Sequence, residues 1–167
     1  MIFMSMIDVI LNRRSIRDYQ DKEIPEEVLS EILEVGRQSP SAANRQPYHF
    51  VVVSDTKLKK ELGGLLSRFL KKAPIILVGC ANPKAILTGK WATVDTTIAL
   101  ENMVLAAWSL GIGSCWVGSF NEQKVKELLK IPDIWNVVAL LPLGYPAETP
   151  KERKKKSKDE LFSYNQF

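Results

Sequence analysis

Three arginines, Arg13, Arg14 and Arg17, fall within one short stretch of the chain, with Ser15 among them. A guanidinium presents its N–H groups as a rigid fork, and a serine hydroxyl adds another donor, so this stretch can grip a phosphate dianion. A second stretch, Ser39-Pro40-Ser41-Ala42-Ala43-Asn44-Arg45-Gln46-Pro47, is built from turn residues and small polar side chains. Its length and its lack of an apolar anchor favour a binding loop over a plain turn. A third feature is Gly118-Ser119, where an apolar run ends and leaves backbone N–H groups available. Taken alone, an arginine-rich stretch is more often a solvated loop, and Pro, Ser and Asn more often make a turn. Together the three suit a ligand with a phosphate, a polyol chain and a flat apolar ring carrying a hydrogen-bonding edge. Flavin mononucleotide (FMN) has those parts.

Other chemistries lack their residues. There is one histidine, His49, which excludes a histidine-based triad and any multi-histidine metal site. It sits beside Phe50 in a strand-like run and reads as structural. No P-loop is present, and Gly111-Ile112-Gly113 leads into a strand rather than a helix, so it is not a dinucleotide fingerprint. Cys80 and Cys115 lie in apolar runs and read as buried thiols, without a disulfide framework. No zinc spacing or carboxylate pair stands out either, so conventional acid–base or metal chemistry has nothing to stand on.

Helices and strands frame these stretches. Ser5 opens a short helix over 6–12, which runs straight into the arginines. Pro25 opens a second, with Val28, Leu29, Ile32, Leu33 and Gly36 on one face. Tyr48 to Val53 reads as a strand, and 56–72 as one amphipathic helix with Leu58, Leu62, Leu65, Leu66, Phe69 and Leu70 inward and lysines outward. Ile75 to Cys80 reads as a fully buried strand and 81–92 as a loop. A helix over about 93–110 follows, apolar nearly all round from Ile98 to Leu110 and interrupted only by Glu101, Asn102 and Ser109. A helix without a polar face must be covered on every side, and in so short a chain that points to a second subunit. Gly111 stops it. Ser114 to Val117 is a third strand, Asn121 caps a helix to Lys130, and Asn136 to Leu143 is the fourth strand. The fold class is α+β, a central and mostly antiparallel sheet flanked by helices.

The 167 residues carry a net charge of +4, and its location matters. Residues 151–158 hold six bases and one acid; without them 17 basic and 18 acidic residues remain, a body near neutral. That excludes a basic nucleic-acid surface, and no apolar run reaches the ~20 residues of a membrane span. The start, Met1 to Met6, has no basic segment and makes a poor signal peptide, so a cytoplasmic protein is expected. Two regions result: 1–150 as one domain, and 151–167 as a basic extension.

The same residues carry a family resemblance. Arg13-Arg14-Ser15-Ile16-Arg17-Asp18-Tyr19 resembles the N-terminal signature of the FMN-dependent nitroreductases, and Ser39 to Phe50 resembles their second motif. Ala99 to Ala107, Leu110 to Trp116 and Leu143 to Glu148 resemble their central helix, the strand beyond it and the closing segment. The resemblance implies that Arg13 and Ser15 bind the FMN phosphate, with Arg14 beside them, and that Arg17 reaches N1 and the C2 carbonyl of the ring. It implies that Pro40, Ser41, Ala42 and Asn44 come from the partner subunit, that Gln46 also binds the cofactor, and that Gly118 and Ser119 lie beside N5. The tail departs from the family pattern; one or two of Arg153, Lys154, Lys155 and Lys156 are its candidates for the phosphate, and residues 159–167 for docking on the partner. The implied activity is electron transfer from NAD(P)H to nitroaromatic, quinone or flavin acceptors, in a ping-pong manner and as a homodimer. Reductive dehalogenation, oxidase chemistry or flavin cleavage on the same fold, and a non-catalytic binding module, are the alternatives.

Overall fold

The computed structural model describes residues 5–63 and 65–167, and for residues 65–68 the backbone alone. The expectations for Met1 to Met4 and for the inward placing of Leu65 and Leu66 lie outside the described residues and side chains. β2 (Ile75–Ala81) is buried along its whole length. Beside it lie β1 (Tyr48–Val53) and β4 (Asn136–Gly144), and β4 carries the two-residue β3 (Gly113–Ser114). The order is β1-β2-β4-β3 with every pair antiparallel.

The period of two along β2 builds two cores. Ile75 and Leu77 pack with α2 (Glu26–Arg37) and α4 (Ala92–Ser109) through Ile32, Leu100, Met103, Val104 and Ala107. Ile76, Val78 and Cys80 pack on the other face with α3 (Thr56–Leu62) and α5 (Glu122–Leu129) through Leu62 and Val125, and with Leu70 of the segment after α3. A bulge changes the parity of β4: Gly79 pairs with Ala139 but Cys80 with Val137. The extra residue, Val138, lets Val137 and Leu140 face the same core although three positions separate them.

α4 lies close on its neighbours because two glycines leave room. A Cβ on Gly36 of α2 would stand 2.5 Å from Met103 Sδ, and one on Gly79 of β2 would stand 2.6 Å from Leu100 Cδ1. The helix stops as expected. Gly111 takes φ +78°, its N–H donates to the Trp108 carbonyl at 3.1 Å, and the Ile112 N–H donates to the Ala107 carbonyl at 2.8 Å. This is a Schellman closure, which satisfies carbonyls that a helix end leaves orphaned. Within one chain α4 is not covered all round, however: Val94 and Ile98 are 46% and 38% exposed. α1 (Met6–Asn12), capped by Ser5 in a reciprocal box with Asp8, adds exposed Met6, Ile7, Ile10 and Leu11.

Other expectations are corrected. Residues 56–72 are not one helix: α3 ends at Leu62, Gly63 caps it, and a 3₁₀ segment runs from Leu65 to Lys72. Gly63 suits that end, since glycine is the costliest ordinary residue in a helix interior. Lys59 does not point outward. It is buried, and its Nζ donates to the Ala73 and Pro74 carbonyls at 2.9 Å each. Burial pushes its ammonium below the ordinary lysine range, against the pull of Asp55 and Glu23. The third strand is two residues long, and Val117 meets Leu140 only as an isolated bridge. His49 is exposed, its ring 5.9 Å from that of Trp135. Residues 151–167 are exposed throughout, with one turn of helix, α6 (Lys158–Leu161), capped by Ser157 and Glu160.

Candidate functional site

The arginine stretch leaves α1 at Asn12 and is pinned to the β3 edge of the sheet. The Ile16 N–H donates to the Ser114 carbonyl at 2.8 Å, and the Ile16 side chain is buried against Gly113. Tyr19, also buried, donates its hydroxyl to the Ile16 carbonyl at 2.6 Å, and burial lifts that phenol well above its ordinary range. The stretch then runs antiparallel to the closing segment: the Gln20 N–H donates to the Tyr145 carbonyl at 2.9 Å and the Ala147 N–H to the Asp18 carbonyl at 3.0 Å. Lys72 meets Asp18 at 2.7 Å, and the hydrogen bond holds that carboxyl below the usual range.

This anchoring makes one wall of a cleft of about 350 Å³ lined by Arg13, Arg14, Ser15 and Arg17. The other wall is the start of the tail, from Pro150 to Arg153 with Lys155. Of the tail bases expected at the phosphate, Arg153 lines the cleft; Lys154 and Lys156 do not, and Lys155 does. Arg14 caps the end of α1 through the Leu11 carbonyl at 2.9 Å and comes within 4.0 Å of Glu152. Among the described residues Arg13 and Arg17 make no ion pair, which leaves two guanidinium forks for a ligand. Close to them lies the buried Cys115, whose thiol burial pushes up against the opposing pull of Arg17, Ser15 and Arg13.

The second stretch is held elsewhere, on α2 and α4. Ser39 is buried; its Oγ donates to the Val35 carbonyl and accepts from Asn102 Nδ2, each at 2.9 Å, and its carbonyl accepts from the Tyr48 hydroxyl at 3.1 Å. Asp95, buried on α4, accepts the Ala42 N–H at 3.2 Å on either oxygen. Ser41 Oγ accepts the Gln46 N–H at 2.9 Å. Between these ties Ala43, Asn44 and Gln46 take positive φ of 49°, 52° and 49°. Left-handed backbone costs a non-glycine residue roughly 1–2 kcal/mol, and strain so concentrated belongs to ligand clamps and switches. None of Pro40, Ser41, Ala42, Asn44 or Gln46 lines the arginine cleft. Gly118 and Ser119 are exposed, and a Cβ on Gly118 would meet nothing within 4 Å.

The structure therefore brings Arg13, Arg14, Ser15, Arg17 and Arg153 together, and leaves the second loop apart from them. The residues hold what a phosphorylated ligand needs: unpaired forks, a hydroxyl and a basic second wall. Sequence reasoning missed the residues that hold the loops. Asn102 and Glu101 were visible as polar breaks in an apolar helix; each has one partner, Ser39 for Asn102 and the Trp116 indole N–H at 2.8 Å for Glu101. Asp95 carried a similar signal, a lone acid near the start of that helix. Glu148, which accepts the backbone N–H groups of Arg17 and Asp18, carried none.

A helix-covered antiparallel sheet with an arginine cleft at one edge and a strained loop before the other defines the class, an α+β protein. The profile of the nitroreductase family matches residues 10–84 and 64–145, and the chain belongs to that family. A nitroreductase family protein of Clostridium novyi NT is 37% identical, with a TM-score of 0.82 over 90% of this chain and 89% of that one. The NADPH:FMN oxidoreductase of Vibrio harveyi, solved in complex with NAD+, is 27% identical, with a TM-score of 0.88 over 97% of this chain and 77% of that one. An NADH dehydrogenase of Thermus thermophilus is 30% identical, over 83% of this chain and 85% of that protein.

Proposed function

We propose that the chain is an FMN-dependent oxidoreductase that passes electrons from NAD(P)H to nitroaromatic, quinone or flavin acceptors, working as a homodimer. The observation that carries this reading is the division of the ligand-binding residues. The arginine cleft lies at the β3 edge and the strained loop precedes β1, and these strands are the two edges of the sheet. Three strand spacings separate them, about 14 Å. A second copy placing its Ser41–Gln46 loop over the first copy's cleft unites the two halves. The exposed apolar groups of α1 and α4, with Leu110 and Trp91, offer the surface for it.

Bound FMN supplies two-electron transfer from a reduced nicotinamide to an acceptor. The chain's own residues position and tune. Arg13, Ser15 and Arg153 hold the phosphate, Arg17 places a cation at the ring's N1 edge, and Gly118 or Ser119 offers a main-chain N–H to N5. The open space at Gly118 leaves one face for donor and acceptor in turn, which gives ping-pong kinetics. Residues 159–167 dock on the partner through Leu161, Phe162, Tyr164 and Phe167, all exposed on the single chain.

The test is direct. The purified protein is expected to be yellow, to hold about one FMN per subunit, to sediment as a dimer and to bleach with NADH or NADPH without oxygen. A colourless protein that FMN does not stabilise against heat refutes the reading. Turnover of a halogenated phenol, with none of a quinone or nitroarene, turns it to reductive dehalogenation.

A further inference from the structure

We propose that Glu148 is a positioning residue for the arginine cleft: its carboxylate stands in for a missing backbone partner and fixes where Arg17 leaves the chain. The inference rests on reading that cleft as the seat of the FMN phosphate and ring edge. Between Ile16 and Gln20 the stretch is tied to two different elements. The Ile16 N–H goes to β3, and the Gln20 N–H goes to Tyr145 of the closing segment. The two amides between them that flank the Arg17 side chain, those of Arg17 and Asp18, find no carbonyl opposite. Both donate to the same oxygen of Glu148, at 3.1 Å for Asp18 and closer for Arg17. Arg17 and Glu148 are 131 residues apart in sequence, so this tie exists only in the folded chain.

The same residue holds the opposite wall. The cleft's second side starts at Pro150, two residues past Glu148, and includes Arg153 and Lys155. One carboxylate thus fastens the root of Arg17 and the root of the tail to each other. It also brings a negative charge beside a cleft lined mostly by cations, in which Glu152 is the one carboxylate among the described lining residues. Among the described residues Glu148 makes no ion pair; its recorded bonds are to main-chain N–H groups. Glu148 therefore acts on an anionic ligand in two ways of opposite sign. The tie favours binding by holding Arg17 in place, and the charge opposes it.

Two substitutions separate these effects. Glu148→Gln keeps a carbonyl oxygen for the two amides and removes the charge, while Glu148→Ala removes both. The full-length protein is stripped of FMN and rebinding is followed by flavin fluorescence, with inorganic phosphate as a competitor, in the wild type, both variants and Arg17→Ala combined with each. Amide exchange at Arg17 and Asp18 is measured alongside. Glu148→Gln is expected to bind FMN roughly two- to fivefold more tightly at low salt, the gain shrinking as salt rises. Glu148→Ala is expected to bind about tenfold more weakly, with faster exchange at both amides, and to lose little more when Arg17→Ala is added.

Gln and Ala variants of equal affinity, or losses from Glu148→Ala and Arg17→Ala that simply add, overturn the inference. Should Glu148→Ala not fold, Glu148→Gln alone decides it, since slow exchange and tighter binding must survive that change. A wild type that binds no FMN removes the functional reading and this inference together. A wild type that binds it with unaffected variants removes this inference only.

Discussion

Ser39→Ala is the sharpest perturbation of the clamp loop that leaves the proposed ligand contacts intact. Ser39 is 5% exposed, and its Oγ links the Val35 carbonyl to the Asn102 side chain, each at 2.9 Å. The change orphans a part-buried amide donor, which costs about 1–3 kcal/mol, and loses a second hydrogen bond worth about 1 kcal/mol. A loss of roughly 2–4 kcal/mol follows, or a fall in Tm of roughly 4–16 °C for a chain of this size. Asn102→Leu, close in shape, removes the other partner and is expected to cost about 1 kcal/mol alone. Replacing both partners with apolar groups removes the orphaned amide, so the double variant should be no less stable than Ser39→Ala. The coupling measured by urea denaturation of the FMN-free protein is then about 1 kcal/mol or more. FMN affinity should fall with Ser39→Ala, because the loop from Ser41 to Gln46 loses its fixed base. Additive losses, or a silent Ser39→Ala, would show that this chain of bonds does not hold the loop.

Arg13→Ala is expected to weaken FMN binding by about 1.5–3 kcal/mol, as for one lost charge-assisted contact, while Arg17→Ala mainly slows reduction by NAD(P)H; equilibrium binding and stopped-flow reduction check the division. Glu122 accepts the Val137 N–H at 2.9 Å and meets Lys126, and the backbone bond above all holds its carboxyl below 4.5. The folded form therefore favours the charged state, so its stabilisation is present above about pH 4.5 and is lost as pH falls through the lowered value. Glu122→Gln should flatten the stability-against-pH curve in that acid range. Gly79→Ala should cost about 1–3 kcal/mol by overpacking against Leu100, and Leu100→Ala should cost less in that chain than in the wild type, as read by thermal unfolding.

What the sequence settled was what local rules govern. Tyr48 to Val53 is the strand its β-branched, aromatic run requires, and Ser5, Asn121 and Gly111 start and stop helices where hydrogen bonds to residues three or four positions away demand. The arginine stretch, the clamp loop and Gly118-Ser119 were legible as well, because their chemistry lies in the side chains themselves. Tertiary structure decided whatever depends on partners far along the chain. The sequence carries no mark that Lys59 serves two carbonyls beyond α3, since its periodic neighbours are solvated lysines. The parity change in β4 arises from a bulge opposite Gly79 and Cys80, which no alternation within β4 reveals. Arg153 and Lys155 line the cleft with the arginines and Lys154 does not, a distinction that a run of consecutive bases does not carry in its sequence. The separation of clamp from cleft is likewise a matter of strand order: residues 13–17 and 39–47 are near in sequence, but β2 and β4 come to lie between the edges that hold them.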